Sequence, residues 1–140
     1  MWIQKEVKIS PKVRGFHMIT DEIITQIPEL SQMAVGVAHI FIKHTSASLT
    51  INENADPTVR EDFENFFNRV VPEGESYYQH IYEGSDDLPG HIKASLLGSS
   101  LSLPIADGRF NIGIWQGVYL CEHRNHGGVR SLIVTLHGEV

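Results

Sequence analysis

The chain has 140 residues, 41% hydrophobic and 20% charged, which fits one globular domain over 1–140 with enough residues to bury a real core. Its net charge of −6, with no more than two Lys or Arg as neighbours, excludes a broad nucleic-acid surface. The single cysteine, Cys121, excludes an internal disulfide framework, and no 18-residue apolar run is present to span a bilayer. With no signal-like N-terminal run, the expectation is a cytoplasmic protein without nucleic-acid or membrane partners.

Residues 2–9 place Ile3, Val7 and Ile9 on one face at period two and predict a half-buried strand. Thr20-Asp21-Glu22 predicts a helix start, with Ile23, Ile24 and Ile27 on one side and Pro28 as its limit. Residues 34–44 read as a strand apolar on both faces, hence central, and a second strand follows at 47–52. Asp56 and Pro57 are an N-cap and first helical residue. Behind them Val59, Phe63, Phe66, Phe67 and Val70 recur at helical spacing, which predicts a core-facing stripe ended by Pro72. Pro89 and Gly98 frame a short helix with Ile92, Leu96 and Leu97 inward. Asp107-Gly108 is a hairpin turn between strands near 100–106 and 109–121. In the second of these Ile112, Ile114, Val118 and Leu120 share one face, and residues 129–137 form the last strand. Six or seven strands joined mostly as hairpins, with three helices, predict an α+β fold with a largely antiparallel sheet.

The chemistry-bearing residues gather between these elements. His80 and His91 stand eleven residues apart, with Glu83, Asp86, Asp87, two glycines and Pro89 between them. Neutral imidazole is the commonest metal ligand, and two histidines with a carboxylate describe a divalent site with an open position. Asp86 or Asp87 could instead cap the helix, leaving an acidic capping loop with two surface histidines. His44 ends a buried strand on the face of Ile40 and Ile42, and could complete a three-histidine set or bond a backbone carbonyl. Thr45, Ser46 and Asn52 offer hydrogen bonds to a phosphate or hydroxyl. Glu53 is a candidate general base, with turn and cap roles as the alternative. Trp115 stacks on a ligand or fills the core, while Lys93 and Arg124 are candidates for an anionic group. No Gly-x-Ser-x-Gly elbow or P-loop is present.

The run from His44 to Asp56, Tyr78-Gln79-His80, Glu83 to Asp87, His91 to Gly98 and Gly113 to Gly117 together resemble the YjbQ-like family, labelled secondary thiamine-phosphate synthase enzyme. The resemblance covers essentially the whole chain. It implies a mostly antiparallel β-sandwich or barrel-like sheet with about three helices, assembled as a homotrimer. It also implies a site with a divalent metal of zinc or magnesium class, or an anion. Carried over by motif, the metal ligands are His44, His80 and His91, with Glu83, Asp86 and Asp87 as supporting acids. Glu53, Asp87 and His44 become the catalytic candidates, and Thr45, Ser46, Asn52, Lys93, Trp115 and Arg124 the substrate contacts. The family often has Cys where this chain has Ala55, and His123 matches one branch only. The implied activity joins hydroxymethylpyrimidine diphosphate to a thiazole phosphate with loss of pyrophosphate, so the partner is a small phosphorylated metabolite. A metal-dependent hydrolase and a non-catalytic trimeric binding module are the alternatives.

Overall fold

The computed structural model describes residues 1–140 as two antiparallel sheets and three α-helices. The larger sheet begins with β1 (Trp2–Ile9), which pairs with the C-terminal strand of the chain, Arg130–Glu139, in the register Val7 to Leu132. Beyond that strand lie Val35–Ile42, Ser100–Ala106 and the two-residue Arg109–Phe110. The smaller sheet is ordered Gly15–Met18, Gln116–Glu122, Ala47–Glu53. In chain order the remaining strands are therefore β2 (Gly15–Met18), β3 (Val35–Ile42), β4 (Ala47–Glu53), β5 (Ser100–Ala106), β6 (Arg109–Phe110), β7 (Gln116–Glu122) and β8 (Arg130–Glu139). The helices are α1 (Thr20–Ile24), α2 (Pro57–Val70) and α3 (Asp87–Leu97), with a 3-10 turn at Pro28–Gln32. No helix is long and apolar enough to cross a membrane.

Period-two alternation explains the layering. Ala38, Ile40 and Ile42 of β3, Leu132, Val134 and Leu136 of β8 and Leu103 and Ile105 of β5 point inward and meet Leu49 of β4 and Val118 and Leu120 of β7. Each fully buried branched side chain contributes about 1.5–3 kcal/mol before entropy. The far face of the smaller sheet carries Phe16, Tyr119 and Cys121 under Phe63 and Phe67 of α2 and Leu97 of α3. The order is thus large sheet, small sheet, helices. As expected, β3 is central, but its outward Val37 and Phe41 remain exposed.

The Asp107-Gly108 turn forms, with φ of 50° and 75° at its two residues. The strand after it is not continuous. It stops at Phe110, then Gly113 N–H donates to the Gln116 carboxamide and Gln116 N–H to the Gly113 carbonyl, a turn that sends β7 into the other sheet. Ile114 and Trp115 sit on that turn. Ile114 therefore does not share the core face, and Trp115, 63% exposed, fills no core. The phenylalanine stripe is also only half inward. Asp56 caps α2 through Thr58 N–H as expected, but α2 buries no residue completely, and Phe66 is 59% exposed.

α3 departs furthest from expectation. Its buried face is Asp87, Pro89, Gly90 and Lys93, while Leu96 is exposed. A charged face can be inward here because each charge meets a polar partner: Lys93 Nζ donates to Asn68 Oδ1 at 2.8 Å, and Asp87 is held by residues described below. Gly90 permits the close approach, since a Cβ there would lie 3.4 Å from His123 and 3.5 Å from Ser46. β2 has no counterpart among the expected strands. Gly15-Phe16-His17-Met18 alternates too briefly to show a period.

Candidate metal centre

The loop after α2 carries His80, and α3 begins at Asp87, two residues before the expected start at Pro89. That shift decides the geometry. Asp87 and His91 become i and i+4 of one helix and share a face. His91 Nε2 lies 3.0 Å from Asp87 Oδ2, and His80 Nε2 lies 2.8 Å from the same oxygen. One ligand atom from each of the three residues lies within 4.8 Å of the others. The two imidazole centroids are 5.4 Å apart and tilted by 47°. Glu83 stands at the edge, 3.7 Å from His80 Nε2. The Asp87 side chain is only 2% exposed, whereas His80 is 47% and His91 32% exposed, so the cluster opens to solvent on its histidine side.

The second Asp87 oxygen faces inward. Arg124 Nη1 donates to Oδ1 at 2.6 Å, Nε donates to Asp86 Oδ2 at 2.9 Å, and Nη2 donates to the Glu83 carbonyl at 2.8 Å. Asn125 N–H adds a bond to Asp86 at 2.8 Å. Burial alone would raise the Asp87 pKa, but His80, His91 and Arg124 outweigh it and hold the carboxyl below its ordinary range. Asp86 is held low in the same way, burial being overcome by Asn125 N–H and Arg124. The loop bends at Gly84, whose φ of 99° suits glycine; a Cβ there would meet Asp86 Oδ1 at 2.9 Å.

The His91 ring gives the test of whether these residues fit a metal. Its Nδ1 lies 2.9 Å from the Thr45 carbonyl, which can only accept, so Nδ1 carries a proton. In the neutral ring Nε2 is then a lone pair aimed at a carboxylate oxygen. Two acceptors at 3.0 Å require a cation between them, either a second ring proton or a metal ion. A histidine with one nitrogen anchored on a backbone carbonyl and the other free is the usual arrangement of a metal ligand, and Arg124 on the distal carboxylate oxygen completes the outer support. The donor set of two nitrogens and one oxygen, open on one side, fits a zinc-class ion and not the all-oxygen preference of magnesium.

Most of the other residues assigned from sequence lie elsewhere, each for a visible reason. His44 is not in the triad: its Nε2 accepts from Ser131 N–H at 2.8 Å. Glu53 Oε2 accepts from Ala55 and Asp56 N–H, so it caps a turn, and its carbonyl accepts from the Tyr119 hydroxyl. Asn52 Oδ1 is taken by Glu53 N–H. Ser46 is buried and accepts from Arg130, and Lys93 is buried on Asn68, so both side chains are engaged inside the protein. Trp115 lies on the exposed turn before β7, where its carbonyl accepts from Asn54 N–H. Arg124 does reach the centre, as the anchor of its carboxylates and not as an open anion site. Thr45 contributes a backbone carbonyl. That role has no side-chain signature, but the i, i+4 spacing of Asp87 and His91 was readable.

Behind the centre lies a buried polar layer. Glu122 and Arg130 pair at 2.7 Å, and His123 Nε2 meets Ser48 Oγ at 2.8 Å. Burial, then the neighbouring Lys93 and Arg130, push the His123 pKa down to about 3. Burial pushes the Cys121 thiol up to about 12.

Comparison with known proteins places this geometry in context. A family model described as UPF0047 protein YjbQ-like matches residues 5–139. The UPF0047 protein YjbQ of Escherichia coli O157:H7 is 55% identical over 139 residues, covering 99% of this chain and 100% of that protein. A UPF0047 protein of Synechocystis sp. is 41% identical over 137 residues, covering 98% and 92%. Among solved structures, a protein of the yjbq/upf0047 family from Clostridium acetobutylicum superposes with a TM-score of 0.78 at 34% identity, covering 96% of this chain and 99% of that one. A YbjQ-like protein of unknown function from Sulfolobus solfataricus P2 superposes with a TM-score of 0.86 at 24% identity, covering 99% of each chain, a likeness of fold.

Proposed function

The chain belongs to the UPF0047 YjbQ-like family, and from that premise we propose that it is a metal-assisted enzyme acting on a phosphorylated small molecule, with its centre at His80, Asp87 and His91. The observation that carries the reading is the His91 ring, which donates Nδ1–H to the Thr45 carbonyl and directs Nε2 at the Asp87 carboxylate. A divalent cation held there would supply Lewis acidity, neutralising charge that develops on a departing phosphate or pyrophosphate. The protein's own part is orientation. Thr45 sets the His91 tautomer, Arg124 fixes the Asp87 carboxylate, and half-exposed His80 leaves the open side through which a substrate enters. Weak thiamine-phosphate synthesis belongs to this reading, as loss of pyrophosphate from hydroxymethylpyrimidine diphosphate when a thiazole phosphate attacks.

A homotrimeric assembly is part of the same proposal. It is supported by the outward face of the larger sheet, where Trp2 stacks on His137 and Val37 and Phe41 stay uncovered. Sedimentation of the purified chain tests it: a monomer at micromolar concentration contradicts it.

Elemental analysis of protein purified without chelators, with turnover of the diphosphate substrate, tests the enzymatic reading. One divalent ion per chain, lost together with turnover in His80→Ala and His91→Ala, is expected. Unchanged turnover in both variants overturns it. One observation favours a second reading, a metal-dependent hydrolase of a less charged substrate. The arginine at the centre is committed to Asp86, Asp87 and the Glu83 carbonyl, which leaves it no open fork for a phosphate. A screen of phosphate esters and amides against the diphosphate separates the two.

A further inference from the structure

Beside the metal centre, between the carboxyl half of α3 and the connection from β3 to β4, lies an open cavity of about 600 Å³. His91 forms part of its wall, so the cavity and the triad share a residue. His44, Thr45, Ser95, Gly98 and Ser99 line the rest together with two alanines. No Lys, Arg, Asp or Glu is among them. The wall at Gly98 is the carboxyl end of α3, whose dipole is negative and opposes an anion.

Two of the polar atoms that remain are directional. His44 Nε2 accepts from Ser131 N–H, so the neutral ring carries its proton on Nδ1. Burial, then Arg130, push the His44 pKa down and keep the ring in that neutral form. Nδ1 has no partner within the chain, and no buried side-chain nitrogen or oxygen is left unpaired, so this N–H reaches solvent. Ser95 donates its hydroxyl proton to the His91 carbonyl at 3.0 Å, so toward a ligand its oxygen accepts. A fixed donor and a fixed acceptor without net charge match a hydroxyl or an amide, whereas a phosphate would find no cation among the lining residues to balance its charge.

We propose that this cavity binds the uncharged, hydroxyl- or amide-bearing part of the substrate, with His44 Nδ1–H as its specificity-determining donor. The inference rests on the metal-centre reading for one point only: the anionic end of the substrate lies at His80, Asp87 and His91, and the neutral end beside His44. The histidine that the family resemblance offered as a third ligand becomes the residue that selects what the metal acts on.

The test is a titration of isotope-labelled full-length protein, with and without zinc, followed by backbone amide resonances. The probes are myo-inositol and nicotinamide as neutral ligands and inorganic phosphate as the anion. At least one neutral probe is expected to shift the amides of Ser95, Gly98 and Ser99, while phosphate leaves them in place. His44→Phe is expected to weaken that binding about tenfold, the loss of one directional hydrogen bond, and His44→Gln, which retains a donor and an acceptor, to restore most of it. Ser95→Val weakens it too, without touching the bond to Ser131, and so decides the matter if the His44 variants fold poorly. Zinc affinity stays unchanged in all three. Phosphate shifting these amides while neither neutral probe does, or neutral binding insensitive to His44→Phe and Ser95→Val, overturns the proposal. If zinc fails to bind the wild-type protein, the metal-centre reading falls, and the titration without zinc still decides the cavity.

Discussion

Arg124 Nη1 donates at 2.6 Å to the Asp87 oxygen that faces away from the histidines. One carboxylate is therefore gripped from both sides, by a fixed cation within and by two imidazoles at the surface. The same guanidinium also holds Asp86, so replacing Arg124 leaves two low-exposure carboxylates without their partner. Arg124→Leu is expected to destabilise the fold by about 2–4 kcal/mol, less than a fully buried pair because the arginine is partly solvated. Zinc affinity should fall about 10–100-fold as the Asp87 carboxylate loses its orientation. Chemical denaturation and zinc calorimetry measure the two effects. Unchanged zinc affinity would detach Arg124 from the centre.

The histidines themselves behave in the opposite way. His80 is half exposed and on a loop, so His80→Ala should change stability by less than about 0.5 kcal/mol while abolishing tight zinc binding. A large loss of stability in metal-free His80→Ala would assign His80 a structural role instead.

His123 gives the chain a pH dependence separable from the metal. Its folded pKa is depressed from 6.5 to about 3, so the native state stays neutral at His123 while the unfolded chain takes up a proton. Stability contributed by the neutral ring is complete above 6.5 and falls progressively as pH drops from 6.5 toward 3. The slope from this one group approaches about 1.4 kcal/mol per pH unit. His44, also depressed, chiefly by burial, adds to it with the same sign. Urea unfolding of metal-free protein between pH 7 and 4.5 should show this slope, and His123→Asn should lack the His123 share. An identical slope in the variant contradicts the assignment.

Glu53 is expected to act on stability alone. Its carboxylate accepts from Ala55 and Asp56 N–H, so Glu53→Ala should cost about 1 kcal/mol, as loss of a cap does. Zinc affinity is unaffected on this account. A parallel drop in zinc affinity would return Glu53 to the centre.

How much of this was legible beforehand follows from what each signal encodes. Strand alternation placed β1 and β4 because one face of each is buried and the pattern needs no partner to be visible, and β3 was legible as a run apolar on both faces. The cap at Asp56 and the turn at Asp107-Gly108 were legible because their chemistry is local. The helical period of α2 showed which residues share a face but not how much of that face a neighbour covers. Phe63 packs on Phe16 and Tyr119, while Phe66 does not reach them. Phe63→Ala should accordingly cost about 2–4 kcal/mol and Phe66→Ala under about 1 kcal/mol, a contrast that equal losses would refute.

The site divides along the same line. His80, His91 and the acids between them were readable as a candidate metal loop, beside the alternative of a capping loop, because the residue types are unusual for a core. His44 could not be separated from them by sequence, since its partner is the backbone N–H of Ser131, 87 positions away. Arg124 was visible only as a free cation, because its partners lie across the fold. Backbone groups such as the Thr45 carbonyl carry no sequence signal at all.

Anomalous scattering at the zinc edge from crystals of the zinc-treated chain addresses the centre most directly. The account predicts one peak per chain, bounded by His80 Nε2, Asp87 Oδ2 and His91 Nε2, with His91 Nδ1 still on the Thr45 carbonyl and His44 outside the coordination sphere. Density with no anomalous peak among those three atoms would contradict it.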